Sequence, residues 1–172
     1  MLEVGIRPET ASDAGAIQEV TELAFGRAYE AGVVEKVRRS SGFVSELSLV
    51  AEREGEIVGH VMFSELEIVG ASESWTVLAL GPISVRPEFQ KQGVGRQMIR
   101  AGLERAANLG YGVVVLIGHP TYYPRFGFAS GSRFGLKCAI PVPDDVFMAH
   151  LLRSDGLDGI EGTVVFPPAF QE

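Results

Sequence analysis

The chain has 172 residues, 46% apolar and 22% charged, a composition that can bury a core and lies far from that of a disordered segment. Fifteen Lys and Arg against 22 Asp and Glu leave a formal charge of −7, which argues against a general affinity for nucleic acid or an anionic membrane. The lone Cys138 allows no internal disulfide, Glu3 stands where a secretory leader carries bases, and no apolar run is long enough to span a bilayer. The expectation is therefore one cytoplasmic domain over residues 1–172 that needs no metal staple.

Residues 2–7 alternate apolar and polar, as a half-buried strand does, and Pro8 closes the run. Thr10-Ala-Ser-Asp13 resembles a capping box, and Ile17, Val20, Leu23 and Ala24 follow at helical spacing. A second helix is expected over 30–40 with Val33, Val34 and Val37 inward. Residues 48–53 and 57–63 flank Glu54-Gly55-Glu56 and read as an antiparallel hairpin, Gly55 supplying the positive φ of the turn. Trp75 to Val85 reads as a long buried strand whose ladder breaks at Gly81-Pro82.

A helix runs from Gly93-Val94-Gly95 to about Leu109, with Val94, Met98, Gly102, Ala106 and Leu109 inward and Arg96, Gln97, Arg100 and Glu104 outward. Val113 to Ile117 is apolar throughout, as a strand covered on both faces would be. Strand, helix and strand make a βαβ unit, so the two strands should be parallel with a right-handed crossover. In the last third we expect a short helical turn over 120–126, a strand over 134–140, a short helix over 144–152 and a final strand over 162–166.

Arg86, Lys91, Arg96, Arg100 and Arg105 face only Glu88 and Glu104 in the same stretch, a basic segment in an acidic chain. It is either a solvated helix face or a place for an anionic ligand. A Gly-rich turn between strand and helix exposes N–H groups that the helix cannot satisfy, and Gly93 and Gly95 have no Cβ to hold a phosphate away from the main chain. With Lys91 and Arg96 adding charge, a diphosphate is the natural guest. A dinucleotide-binding turn would need glycine where Met98 stands, and a P-loop would need Gly-Lys-Ser/Thr; neither is present.

The order of strand, bulge, Gln90-x-x-Gly93-x-Gly95 and amphipathic helix resembles the GNAT superfamily of acetyl-CoA-dependent N-acetyltransferases. Ser48-Leu-Val-Ala-Glu52, Val58-Gly-His-Val-Met-Phe-Ser64, Leu80 to Pro87 and Gly118 to Phe128 are similar to its YhbS-like branch. The resemblance implies an α/β fold with a central mixed twisted sheet of about six or seven strands, splayed parallel strands 4 and 5, and helices on both faces. It implies acetyl-CoA as co-substrate, no metal, and an amine acceptor that is a small molecule or a peptide. The main chain at Ile83 and Val85 would pair with the pantetheine arm, with Ser84 between them also in the cofactor site, and the arm enters where the strands ending near Val85 and Ile117 diverge. Gln90, Lys91, Gln92, Gly93, Val94, Gly95 and Arg96 would enclose the pyrophosphate. A homodimer is compatible with the family.

Acetyl transfer needs a neutral nucleophile, a stabilised oxyanion and a proton for the departing thiolate. The family's acid is commonly a Tyr four residues before Gly-Phe, the position of Tyr123 before Gly127-Phe128; the alternative is that Tyr122, Tyr123, Phe126 and Phe128 are a packed aromatic cluster. His119 stands near where many members have Asn, and is either catalytic or a structural residue at a strand end. The base is ordered water, Glu65 or His60, with a packing role as the alternative for His60. The oxyanion would be held by an N–H near Ile83. His60, His119 and His150 are too dispersed for a zinc site, Cys138 reads as a core residue, and no Gly-x-Ser-x-Gly elbow exists. A different class of function keeps the same cradle: an acyl-CoA-binding sensor without turnover.

Overall fold

The computed structural model describes residues 1–170, so the last two residues of the expected domain lie outside it. The chain divides into two compact units, the first from Met1–Ser64 and Gly81–Arg105, the second from Glu65–Leu80 and the residues from Ala106 onward. Two long strands, β3 (Glu56–Val69) and β4 (Ser74–Val85), contribute to both.

In the first unit β1 (Gly5–Pro8) pairs antiparallel with β2 (Phe43–Arg53), which pairs antiparallel with β3. The β2–β3 turn is tight, and both of its residues, Glu54 (φ 51°) and Gly55 (φ 78°), are left-handed as a twisted hairpin requires. The expected capping box is present: the Thr10 N–H donates to Asp13 Oδ2 at 2.7 Å. Arg7 also donates to that carboxylate at 2.7 Å and holds it well below the usual carboxylate range. Helix α1 (Ala14–Phe25) follows and stops at the left-handed Gly26; α2 covers Tyr29–Arg38 with Val33, Val34 and Val37 buried.

Leu23 is a correction, at 47% exposed. Its expected place inside α1 is taken by Thr21, whose buried hydroxyl is satisfied by donating to the Ile17 carbonyl at 2.7 Å.

Helices cover both faces of this unit. Ser84 Oγ lies 3.3 Å from Thr21 Oγ1 of α1, whereas on the other face Gly59 and Phe63 meet α3 (Val94–Asn108). The contact with α3 is close enough that a Cβ on Gly102 would sit 2.1 Å from the fully buried Phe63 ring. Val94, Met98 and Ile99 are buried as well. Leu109 is a second correction: the helix ends at Asn108, and Leu109 is left exposed.

A buried polar chain crosses the unit. Ser48 donates its hydroxyl proton to the Glu9 carboxylate, so the His60 Nε2 that lies 2.9 Å from the same oxygen must be the donor, which fixes the tautomer. Glu9 in turn accepts from Arg38 Nε at 3.0 Å, and Arg38 reaches Glu35 at 2.6 Å. Burial, and secondarily the Arg38 cation, push the His60 pKa down to about 3.

The second unit contains β5 (Val113–Ile117), β6 (Ala129–Ser130), β7 (Lys137–Cys138), β8 (Phe147–Leu151) and β9 (Thr163–Val165). β4 pairs parallel with β5, as the βαβ reading requires; β8 pairs antiparallel with β5 and with β6. β9 pairs with the end of β3 and with β7. The core is built from Leu66, Ile68, Val77, Val113, Val115, Phe147, Val164 and Phe166. Two expectations are corrected here. Residues 144–152 form no helix but contain β8, whose main chain satisfies the otherwise bare edge of β5 from Val113↔Leu151 to Ile117↔Phe147. The strand expected over 134–140 shrinks to the two residues of β7, because a 3-10 turn occupies Gly131–Phe134 and the left-handed Gly135 (φ 75°) ends it.

The result is a mixed sheet of the expected class, with short additions (β6, β7 and β9) beyond the six or so strands that the resemblance implied. No helix is long and apolar enough to cross a membrane, and among the described residues no cluster of His, Cys, Asp and Glu could hold a metal.

Gly102→Ala should destabilise the protein by about 1–3 kcal/mol in urea unfolding, since the Phe63 ring has to move. The buried His60 sets an acid limit. An unfolded histidine takes up its proton near pH 6.5, the folded one only near 3, so stability falls as pH drops through that window. His60→Gln keeps a donor for Ser48 and cannot titrate; its unfolding free energy should decline less steeply from pH 6.5 to 3 than that of the unmodified protein, and equal slopes would refute the assignment.

Candidate functional site

In the first unit β4 leads through a 3-10 turn (Pro87–Phe89) into the loop before α3. Arg86, the residue after β4, is tied back to β3: its N–H donates to the Val58 carbonyl at 2.8 Å and its Nε to the Ile57 carbonyl at 3.1 Å, with Glu19 and Glu56 nearby. Three glutamine amides then occupy main-chain carbonyls around the turn. Gln90 Nε2 donates to Val85 at 3.0 Å, Gln92 Nε2 to Glu88 at 3.0 Å, and Gln97 Nε2 to Gly93 at 3.1 Å and to Leu2 at 2.6 Å. The Leu2 N–H closes the arrangement on the Gln92 carbonyl at 2.9 Å.

The N–H groups of Gly93, Val94, Gly95 and Arg96, by contrast, find no acceptor among the described residues. Lys91 (φ 63°) and Gly93 (φ 88°) are both left-handed, the kind of alternation that turns successive N–H groups toward one concavity, a nest for anions. The exposed Lys91 and Arg96 side chains carry no ion pair among the described residues. Bare N–H groups, a helix start and two cations without an ion pair are the elements from which anion sites are built.

The side chain of Ser84 is buried against Thr21, and its carbonyl oxygen faces Gly59 of β3. Ile83 and Val85 are half-buried on the last residues of β4. In the second unit the β4–β5 ladder consists of Leu78↔Val114 and Ala79↔Val115 and stops before Gly81-Pro82, where the sequence placed the break.

The tyrosine turn belongs to the second unit. After β5 the His119 carbonyl accepts the Tyr122 N–H at 3.2 Å and the Tyr123 N–H at 3.5 Å, and a 3-10 turn over Tyr123–Phe126 ends at the left-handed Gly127 (φ 96°). The Tyr123 ring meets Tyr122 edge-on at 5.1 Å and Phe128 at 6.0 Å. It rests on Gly118, where a Cβ would lie 2.5 Å from the ring. The aromatic cluster is thus real, yet the Tyr123 phenol has no protein hydrogen-bond partner among the described residues. Burial, and then Tyr122, push its pKa up to about 12. His119 enters through its carbonyl while its imidazole stays exposed.

His60 is 1% exposed and committed to Ser48, Glu65 is half-buried, and burial raises the Cys138 thiol on β7. Sequence reasoning missed the role of Gln97, which it placed on the outer face of α3. It also missed His150, whose Nδ1 contacts the Gly127 carbonyl at 3.1 Å. A bond across 23 residues leaves no local signal, and the residue pattern over 144–152 predicts a helix.

The family model for an acetyltransferase (GNAT) domain matches residues 5–131. YhbS of Escherichia coli strain K12, described as an uncharacterized N-acetyltransferase, is 34% identical over 96% of this chain and 97% of its own. The similarly described YjhQ of the same strain is 38% identical over 83% and 80%. Among solved structures, Escherichia coli YhbS in complex with CoA superposes with a TM-score of 0.91 at 31% identity, covering 100% of this chain and 94% of the other. A GNAT family acetyltransferase from Brucella melitensis in complex with acetyl-CoA gives 0.79 at 33% identity, covering 98% and 99%.

A Cβ on Gly93 would lie 2.5 Å from the Met1 side chain, and the positive φ there is unsuited to a β-branched residue. Gly93→Val should therefore weaken calorimetric binding of inorganic diphosphate at least about tenfold; equal affinity in the two proteins would remove the loop from consideration.

Proposed function

Since the chain belongs to the GNAT acetyltransferase family, we propose that it transfers an acetyl group from acetyl-CoA to a primary amine by direct attack in a ternary complex. The run of undonated N–H groups from Gly93 to Arg96 carries the reading, and the two similar proteins crystallised with CoA and acetyl-CoA support that choice of ligand. Residues 1–172 act as a single cytoplasmic acetyltransferase domain on a small-molecule or peptide amine, in keeping with the acidic chain.

Gln90 to Arg96 enclose the pyrophosphate: the N–H groups donate to its oxygens, Lys91 and Arg96 add charge, and Gln90 and Gln92 hold the turn through their main-chain bonds. The main chain of Ile83 and Val85, on either side of Ser84, pairs with the amides of the pantetheine arm, and an N–H near Ile83 stabilises the oxyanion. As the new C–N bond forms and the C–S bond breaks, Tyr123 donates its phenolic proton to the leaving sulfur. The amine passes its own proton to ordered water or Glu65. The raised pKa keeps Tyr123 protonated at neutral pH, the form an acid must have. His119, at the head of the turn, is the second catalytic candidate.

The test is CoA-thiol release from acetyl-CoA with a panel of polyamines, amino acids and peptides. Tyr123→Phe should lower kcat about 10²-fold or more with acetyl-CoA affinity unchanged. Unaltered turnover would remove Tyr123 from the mechanism, and tight acetyl-CoA binding with no turnover on any amine would favour the non-catalytic sensor.

A further inference from the structure

His150 lies on β8, where it pairs with Val114 of β5, the strand from which the tyrosine turn departs. Both ends of that turn are tied to the β8 segment. At the entry the Gly118 N–H donates to the Val146 carbonyl at 2.9 Å; at the exit the Gly127 carbonyl lies 3.1 Å from His150 Nδ1. A carbonyl can only accept, so in this contact Nδ1 carries a proton. The imidazole also packs directly on the main chain: a Cβ at Gly127 would sit 2.7 Å from His150 Cε1. The ring also lies 5.3 Å from Phe128, and Phe128 meets Tyr123 at 6.0 Å. The β6–β8 pairing, Ala129↔Ala149 and Ser130↔Met148, keeps Phe128 in register with His150.

We infer that His150 is a positioning residue for Tyr123: its Nδ1–H fixes the end of the tyrosine turn through the Gly127 carbonyl, and its ring backs Phe128, on which the tyrosine ring leans. The catalytic meaning of this clamp rests on the proposed acid role of Tyr123, whereas the clamp itself concerns only where that ring is held.

The test reads the tyrosine directly. Protein labelled with 3-fluorotyrosine gives one ¹⁹F resonance for each of the four tyrosines, and Tyr123→Phe identifies that of Tyr123. His150→Phe keeps a ring against Phe128 and loses the donor; His150→Asn retains an N–H near the Nδ1 position. In His150→Phe the Tyr123 resonance should move while that of Tyr29 stays in place. Its titration midpoint should fall relative to the unmodified protein, by up to the difference between about 12 and the ordinary 10.0. His150→Asn should restore much of both.

An unmoved Tyr123 resonance in His150→Phe would overturn the inference, as would a common displacement of all four resonances, which marks general loosening. In turnover, His150→Phe should lower kcat with acetyl-CoA affinity unchanged and have no added effect in a Tyr123→Phe background; additive losses would show that His150 acts by another route. Should Tyr123→Phe leave turnover intact, the acid assignment fails while the spectroscopic result still decides the clamp.

Discussion

The first amides of a helix have no carbonyl behind them, and a protein must bury them, cap them or offer them to a ligand. Here the N–H groups of Gly93 to Arg96 find no acceptor among the described residues. Among the described residues no side chain caps the start of α3, and the polar side chains nearby turn to carbonyl oxygens instead. An amide side chain that donates to a carbonyl removes a negative dipole from the vicinity of the nest and leaves the positive ends uncovered. The local preference for an anion therefore survives in a chain of net charge −7.

The two units solve different physical problems. The first secures a rigid corner: close contact at Gly102 against Phe63 locks α3 onto β3, and the Glu9–Ser48–His60 chain pins β2 and β3 with every shared proton assigned. The second places one phenol. Gly118 provides room for the ring, Tyr122 and Phe128 flank it, and desolvation follows from that packing rather than from any charged neighbour.

Much of this was legible in the residues. The hairpin turn, the capping box, the parallel pairing of the strands around α3 and the glycine loop all rest on interactions within a few residues, and local spacing reports them. What was not legible depends on distant partners. Phe147-Met-Ala-His-Leu151 is a strand because β5 needs an edge partner, which no window around residue 147 reveals. Leu23 is exposed because Thr21 satisfies itself on its own helix and takes the inward position. Gln90 belongs to the loop motif, yet its side chain serves the end of β4, a role that the motif alone does not distinguish from direct contact with phosphate.

The buried setting of Tyr123 also shapes how the proposed acid responds to its medium. A phenol that holds its hydrogen far into alkaline solution contributes no ionisation of its own around neutrality. A rise of rate with alkalinity would then have its source outside this phenol, and where that source is the acceptor shedding its ammonium proton the curve changes with the compound being acetylated.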